Sequence, residues 1–482
     1  MRPATVLRLA VAGSRVDVVR LVLTTFGAAL AILALLAAIT VATISPGDGP
    51  YTSDLLNQGG LHPGVVIALV GLCVPVLVLL AQCSRIGAPA RDRRLAAMRL
   101  GGATPGEVGR IVAVDSGVGA LIGSLLGAAV YFLLRVVLDQ RVTGPYSAYL
   151  ADTRVSGTLD GPGFAYRLPT DVLPPWWAVV VVVLAVPFAV VVATTFALRR
   201  VAFTPFGVTR RVRTTPPRVL PLVLVAVGVG GFFGVAALLE AVEVPGGLVL
   251  ALLIAGFVLT AVGLLSGQAA ITQAIGRFVV GRTSRPALLL AGRRMIADPF
   301  AATRATAVLC VTVLIAAGTR HFVNVTNAMA PVGQEPDPFY ANAATLVDLV
   351  LLLAGGLAAL GLLVAAAEGI VARRRTYAAV VAAGTPRAVV ARAVVAETVL
   401  PLVPSLLVAT IAGTAAAMGF FGRTADSYDE ATNTPVRVAI GVAWGPLALT
   451  LLLAVGITAL ATALGLVFLR SATDIGELRA AA

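Results

Sequence analysis

Arg93-Arg94-Leu95-Ala96-Ala97-Met98-Arg99-Leu100-Gly101-Gly102-Ala103-Thr104-Pro105 returns, loosely, 281 positions later as Arg374-Arg375-Thr376-Tyr377-Ala378-Ala379-Val380-Val381-Ala382-Ala383-Gly384-Thr385-Pro386. In both places a long apolar stretch ends in an arginine cluster. A short amphipathic segment follows, a Thr-Pro turn breaks it, and a second long apolar stretch begins. The chain reads as two copies of one membrane module, and the repeated segment as the cytoplasmic elbow of each copy.

Composition excludes a water-soluble globular fold. With 59% hydrophobic residues and only 12% charged, this chain of 482 residues has too little polar surface to enclose an aqueous-type core. A helix crosses about 30 Å of hydrocarbon in roughly 20 apolar residues. By that measure ten spans can be marked, at approximately 21–44, 61–83, 111–138, 174–198, 219–239, 247–271, 305–323, 345–371, 393–421 and 438–469. The first apolar run is about twice the 7 to 15 residues usual in a signal-peptide core, so it is expected to be a retained span.

Charge gives the orientation, because cytoplasmic loops of membrane proteins collect basic residues. Every basic residue is Arg, and 29 of the 36 fall on one side when the N-terminus is placed inside. Both termini are then cytoplasmic and the span count is even. The net charge of +13 is spread over every inner loop, which fits orientation and attraction to anionic lipids rather than a nucleic-acid partner. Cys73, Cys83 and Cys310 fall inside expected spans with no metal-ligand spacing, and His62 and His321 near outer span ends have no ligating neighbour in sequence. No metal site is expected.

The repeat extends beyond the elbow. Ala12-Gly13-Ser14-Arg15 before the first span matches Ala291-Gly292-Arg293-Arg294 before the seventh, as an amphipathic interfacial helix leading into each module. After the elbow, Gly119, Gly123 and Gly127 form a ladder of small residues, and Ser405, Ala409, Gly413 and Ala417 do the same in the second copy. Such ladders let helix backbones approach closely. The expected fold is therefore all-α, with two parallel four-span modules at 1–200 and 285–482 and a connecting two-span hairpin at 201–284. The largest external segment, 139–173, reads as a small folded cap or ordered loop. The other external segments, 45–60, 324–344 and 422–437, are shorter.

These features together resemble the FtsX-like permease family of ABC transporters. They are a basic leading helix, four spans, an elbow reading R-R-x-x-A-x-x-L-G-G-A-T, an acid near the start of the next span, and duplication around two extra spans. The first elbow carries the pattern in Leu100-Gly101-Gly102-Ala103-Thr104 with Asp115 after it. The second, Ala382-Ala383-Gly384-Thr385-Pro386 with Glu397, carries it more loosely. The resemblance implies a permease whose elbows are gripped by cytoplasmic ATPase subunits, two per chain, that supply the ATP and Mg chemistry. It places coupling at Arg93, Arg94, Arg99, Gly101, Gly102, Thr104, Pro105 and Glu107, and at Arg374, Arg375, Gly384, Thr385, Pro386 and Arg387 with Arg373 beside them. It also implies a bacterial inner-membrane location. Many members carry a large extracytoplasmic domain between spans one and two of a module. Here that connection is short, so an amphiphilic or hydrophobic peptide, antibiotic or lipid is the expected cargo, exported or extracted.

One inference needs no family. A phosphate-binding loop of the G-x-x-x-x-G-K-[ST] type requires Lys, and the chain has none, so it is not expected to be an ATPase through that motif, nor to bind a cofactor of its own. Two alternatives stay open: a secondary transporter, which also uses duplicated modules, and a non-transporting membrane sensor or regulator. The acids Asp115, Asp348, Glu368 and Glu397 lie near span ends rather than at mid-membrane, and the copies run parallel, which weighs against the first.

Overall fold

The computed structural model describes residues 15–45, 48, 51–57, 62–73, 76, 80, 104–143, 164–202, 220–330, 338–429 and 434–467. The fold is all-α in its membrane part. Eight helices among the described residues are long and apolar enough to cross a bilayer, and Trp176–Val192 adds a shorter apolar helix. Of the span expected at 61–83, residues 61, 74–75, 77–79 and 81–83 lie outside the described residues, and the count of ten stands at eight long helices and one shorter among those described. The chain divides into two compact units, Met1–Arg210 and Arg211–Ala482.

The first unit contains α1 (Arg15–Ala42), α2 (His62–Gly71), α3 (Pro105–Val137) and α4 (Trp176–Ala202). Glycine brings α3 onto α1. A Cβ at Gly123 would collide with the Thr25 carbonyl, and one at Gly127 would lie 2.6 Å from the Ala29 oxygen. Thr25 Oγ1 donates across the seam to the Gly119 carbonyl at 3.2 Å, a bond worth more to helix association where water is absent. One turn beyond Gly127, Tyr131 of α3 joins its hydroxyl to that of Thr40 across the same pair. Pro187 lies inside a continuous α4 rather than breaking it.

At the end of this unit expected to lie outside, β1 (Arg141–Thr143) pairs antiparallel with β2 (Phe164–Tyr166). Tyr51, from the connection after α1, is buried beside this pair and donates to both Asp171 carboxylate oxygens at 3.1 Å. Burial first, and then the Asp171 charge, push its phenol well above the ordinary value. These contacts give the expected external cap a folded base; residues 144–163 of it lie outside the described residues.

The second unit begins with the hairpin α5 (Leu220–Ala241) and α6 (Gly246–Arg282), closed through Pro245. Glycines again set the seam: a Cβ at Gly263 would sit 2.7 Å from the Val225 nitrogen, and one at Gly228 would meet Thr260. Then follow α7 (Pro286–Ala297), α8 (Pro299–Ala328), α9 (Pro338–Ala372), α10 (Arg374–Ala382), α11 (Arg387–Phe421) and α12 (Trp444–Gly465). Leu264 of α6, Cys310 and Leu314 of α8, and Leu402 and Leu406 of α11 form its apolar centre. Gly413 lets α11 press onto α8 at Leu314 and Ala317, much as Gly123 lets α3 press onto α1. Hydroxyls in this interior bond to their own helix four residues back, as Thr260 to Gly256, Thr272 to Gln268, Ser405 to Pro401 and Thr458 to Ala454 do.

The segment 422–437, expected to be external, carries regular structure. It folds as an antiparallel hairpin of β3 (Thr424–Asp429) and β4 (Thr434–Ala439). His321 Nε2 lies 3.0 Å from the Gly422 carbonyl, Ser427 Oγ donates to the Ala330 carbonyl at 2.7 Å, and Asn324 donates to Gly441 at 3.0 Å. His321 is buried and caps the end of the neighbouring α11.

Candidate coupling site

The two elbows start their long helices differently. In the first, Thr104 caps α3. Its Oγ1 accepts from the Glu107 backbone N–H at 3.3 Å, while Glu107 Oε2 accepts from the Thr104 backbone N–H at 3.0 Å and its hydroxyl at 3.1 Å. Pro105 occupies the first turn, where a missing N–H costs nothing. The two Thr104 bonds hold the exposed Glu107 carboxyl below its usual range. Arg93, Arg94, Arg99, Gly101 and Gly102 lie outside the described residues, and of Asp115 only the helical backbone is described.

In the second elbow, α10 runs nine residues and stops in a Schellman motif. Gly384 takes φ +91°, its N–H bonds to the Val381 carbonyl at 3.0 Å, and the Thr385 N–H reaches the Val380 carbonyl at 3.2 Å. Pro386 then precedes α11 without a side-chain cap. Ala382, Ala383, Gly384, Pro386 and Arg387 are exposed, with Thr385 half-buried between them. Arg374 and Arg375 open α10.

Beneath this exposed tip the elbow is fastened inward. Tyr377 of α10 is 2% exposed and packs with Ile370, Val390 and Val394. Its hydroxyl accepts from Arg294 Nη1 of α7 at 2.7 Å, and the same guanidinium lies 4.6 Å from the Tyr377 ring centroid. Arg294 also reaches Glu397 of α11 at 3.4 Å. Arg373, between α9 and α10, approaches the other Glu397 oxygen at 3.4 Å and Asp298 at 4.0 Å, the last at the limit of an ion pair. Burial works against the Arg373 charge, but Glu397, Tyr377 and Asp298 together outweigh it and leave the guanidinium above its ordinary value.

Sequence reading singled out Glu397 as the acid after the elbow and Arg373 as a charge beside it, and the fold brings them together. It did not find Arg294 as their partner or Tyr377 and Asp298 as members. Arg294 had been seen only as part of the matching leading helix, and no spacing in the sequence links it to a residue 103 positions away. Of the ladder residues, Gly119, Gly123 and Gly127 face α1, and Ser405, Ala409 and Gly413 are buried along α11. Among the described residues no group of three His, Cys, Asp or Glu stands at metal-binding distance.

Long apolar helices, small-residue seams and exposed tryptophans at the starts of α4 and α12 define a multi-pass helical membrane protein. The model of the FtsX-like permease C-terminal family matches residues 64–206 and 349–473, more than half of the chain, once in each copy of the repeat. The chain belongs to the FtsX-like permease family. Its role is therefore of the ABC-transporter permease type, as a membrane component that works with ABC ATPase partners. No curated protein matches the chain.

Proposed function

We propose that this protein is the permease subunit of an ABC exporter or extractor. Its elbows would receive motion from two separate ATPase subunits, which bind the ATP and Mg, and pass it through the packed third span of each module. The observation that carries this reading is the build of the second elbow: an exposed tip at Ala382–Arg387 standing directly on a buried charged node that ties it to α11. An exposed turn fixed to a long membrane helix is what a cytoplasmic partner needs in order to move that helix. The elbows and both termini would face the cytoplasm at a bacterial inner membrane, a reading that the Arg-rich loops support.

The short connections after spans one and seven favour a cargo handled within or beside the bilayer, namely an amphiphilic peptide, antibiotic or lipid. Docking draws on Arg93, Arg94, Arg99 and Glu107 in one copy and on Arg374, Arg375 and Arg387 in the other. Affinity purification from the native membrane, followed by identification of companions and an ATP hydrolysis assay, tests the reading. A stoichiometric ABC-type ATPase is expected, with its capture reduced by Arg93→Glu/Arg94→Glu and by Arg387→Glu. A chain that purifies alone and drives ion-coupled uptake in vesicles would replace the reading with a secondary carrier.

A further inference from the structure

The node around Glu397 is larger than an elbow needs. Fastening α10 to α11 requires only Arg373 and the apolar packing of Tyr377 with Val390 and Val394. Arg294, however, comes from α7, which leads into the module and lies outside the residues that the family model matches. One guanidinium thus touches two other elements at once, the Tyr377 hydroxyl and ring on α10 and the Glu397 carboxylate on α11. A buried charge cluster is weak ground for stability, since apolar side chains of equal volume hold helices together as well or better. What it supplies is direction: the bonds form in one arrangement and are lost in others.

At its other face α7 is bound just as closely to the central hairpin. A Cβ at Gly276 of α6 would lie 2.8 Å from the Gly292 carbonyl and 2.9 Å from the Met295 Cβ, and one at Gly292 would lie 2.8 Å from Val280. Ala291 and Met295 are buried in the same seam. Backbones in such contact do not slide without opening a gap, because packed interiors have few alternative arrangements. The α5–α6 hairpin is in turn seamed at Gly228 and Gly263. A continuous rigid path therefore runs from the elbow through Arg294 into helices that the family's matched segments do not include.

We propose that Arg294 and Glu397 latch α7 to the elbow, so that α7 and the α5–α6 hairpin move with α10 as one body when the ATPase drives it; this rests on the permease reading above. Arg294 and Glu397 act as positioning residues. The hairpin is then a driven element of the transporter rather than a passive linker between modules.

The test uses the full chain in detergent with its co-purified ATPase, Cys73, Cys83 and Cys310 replaced by Ser, and spin labels at Ala297→Cys and Ala382→Cys, both exposed. The expected result is one narrow distance distribution that is the same in nucleotide-free and ATP-trapped protein. Glu397→Gln should broaden it and lower permease-dependent hydrolysis by roughly tenfold, within the usual range of coupling free energies, while ATPase capture is retained. Tyr377→Phe, which keeps the packed ring and removes one hydroxyl, should broaden it less and serves if Glu397→Gln does not fold. A wild-type distance that changes on ATP trapping overturns the latch, as does a variant with both distance and hydrolysis unchanged. Failure of any ATPase to co-purify is read separately in the capture step. That outcome overturns the permease reading and the driven hairpin with it.

Discussion

Single residues decide how closely these helices meet. Gly123 and Gly413 occupy corresponding seams in the two copies, and at each the missing Cβ leaves room for a carbonyl of the partner helix. Leucine at either position has nowhere to go, and overpacking of this kind costs about 1 to 3 kcal/mol or more. Gly123→Leu and Gly413→Leu should each lower the detergent Tm and the yield of monodisperse protein, whereas Gly456→Ala, with nothing within 4 Å of its Cβ, should change neither. Equal behaviour of all three in size-exclusion and melting measurements would remove the ladder argument. The four-residue spacing of small residues was legible in the sequence. That they face α1 and α8 was not, because spacing fixes a helix face and says nothing of which helix lies against it.

At the scale of the element, the two elbows start their long helices in two different ways. The first relies on the Thr104–Glu107 capping box, and Thr104→Ala should cost about 1 kcal/mol, read as faster amide exchange over the first turn of α3. Because Glu107 titrates lower in the folded chain than in the unfolded one, its contribution is present above the ordinary carboxylate range and is lost as pH falls through the lowered folded value. Exchange in that turn, corrected for intrinsic rate, should therefore rise below about pH 4. The second elbow depends instead on Gly384 at φ +91°, and Gly384→Ala should loosen the tip by about 1 kcal/mol. Thr-Pro in both copies was readable as a turn. The capping box rests on Glu107, for which the second copy has Ala388, and the Schellman motif on Gly384, so what separates the elbows lies beside the shared Thr-Pro pair rather than in it. The β3–β4 hairpin escaped sequence reading because β3 is mostly polar and the Thr434, Val436, Val438 alternation of β4 is short and runs into the apolar stretch marked as a span from 438.

For the whole molecule, orientation is the property that function depends on most. If both termini and both elbows are cytoplasmic, single cysteines at Arg293 and Ala382 should be labelled only from the inner face of sealed vesicles, and one at Val436 only from the outer face. Labelling of Ala382 and Val436 from the same side would sink the topology and with it the docking of an ATPase at the elbow. The sequence by itself determined the solvent of this protein and its duplication. Burying 59% hydrophobic residues against water is impossible for such a chain, the apolar runs have the length of a bilayer, and the elbow recurs in sequence. It also marked Glu397 as an acid near the start of a long apolar span. Only the tertiary structure decided which residues partner it. Arg294, Arg373 and Tyr377 come from three elements spread over more than 80 positions, and a contact between distant helices depends on how their ridges and small-residue seams bring them together.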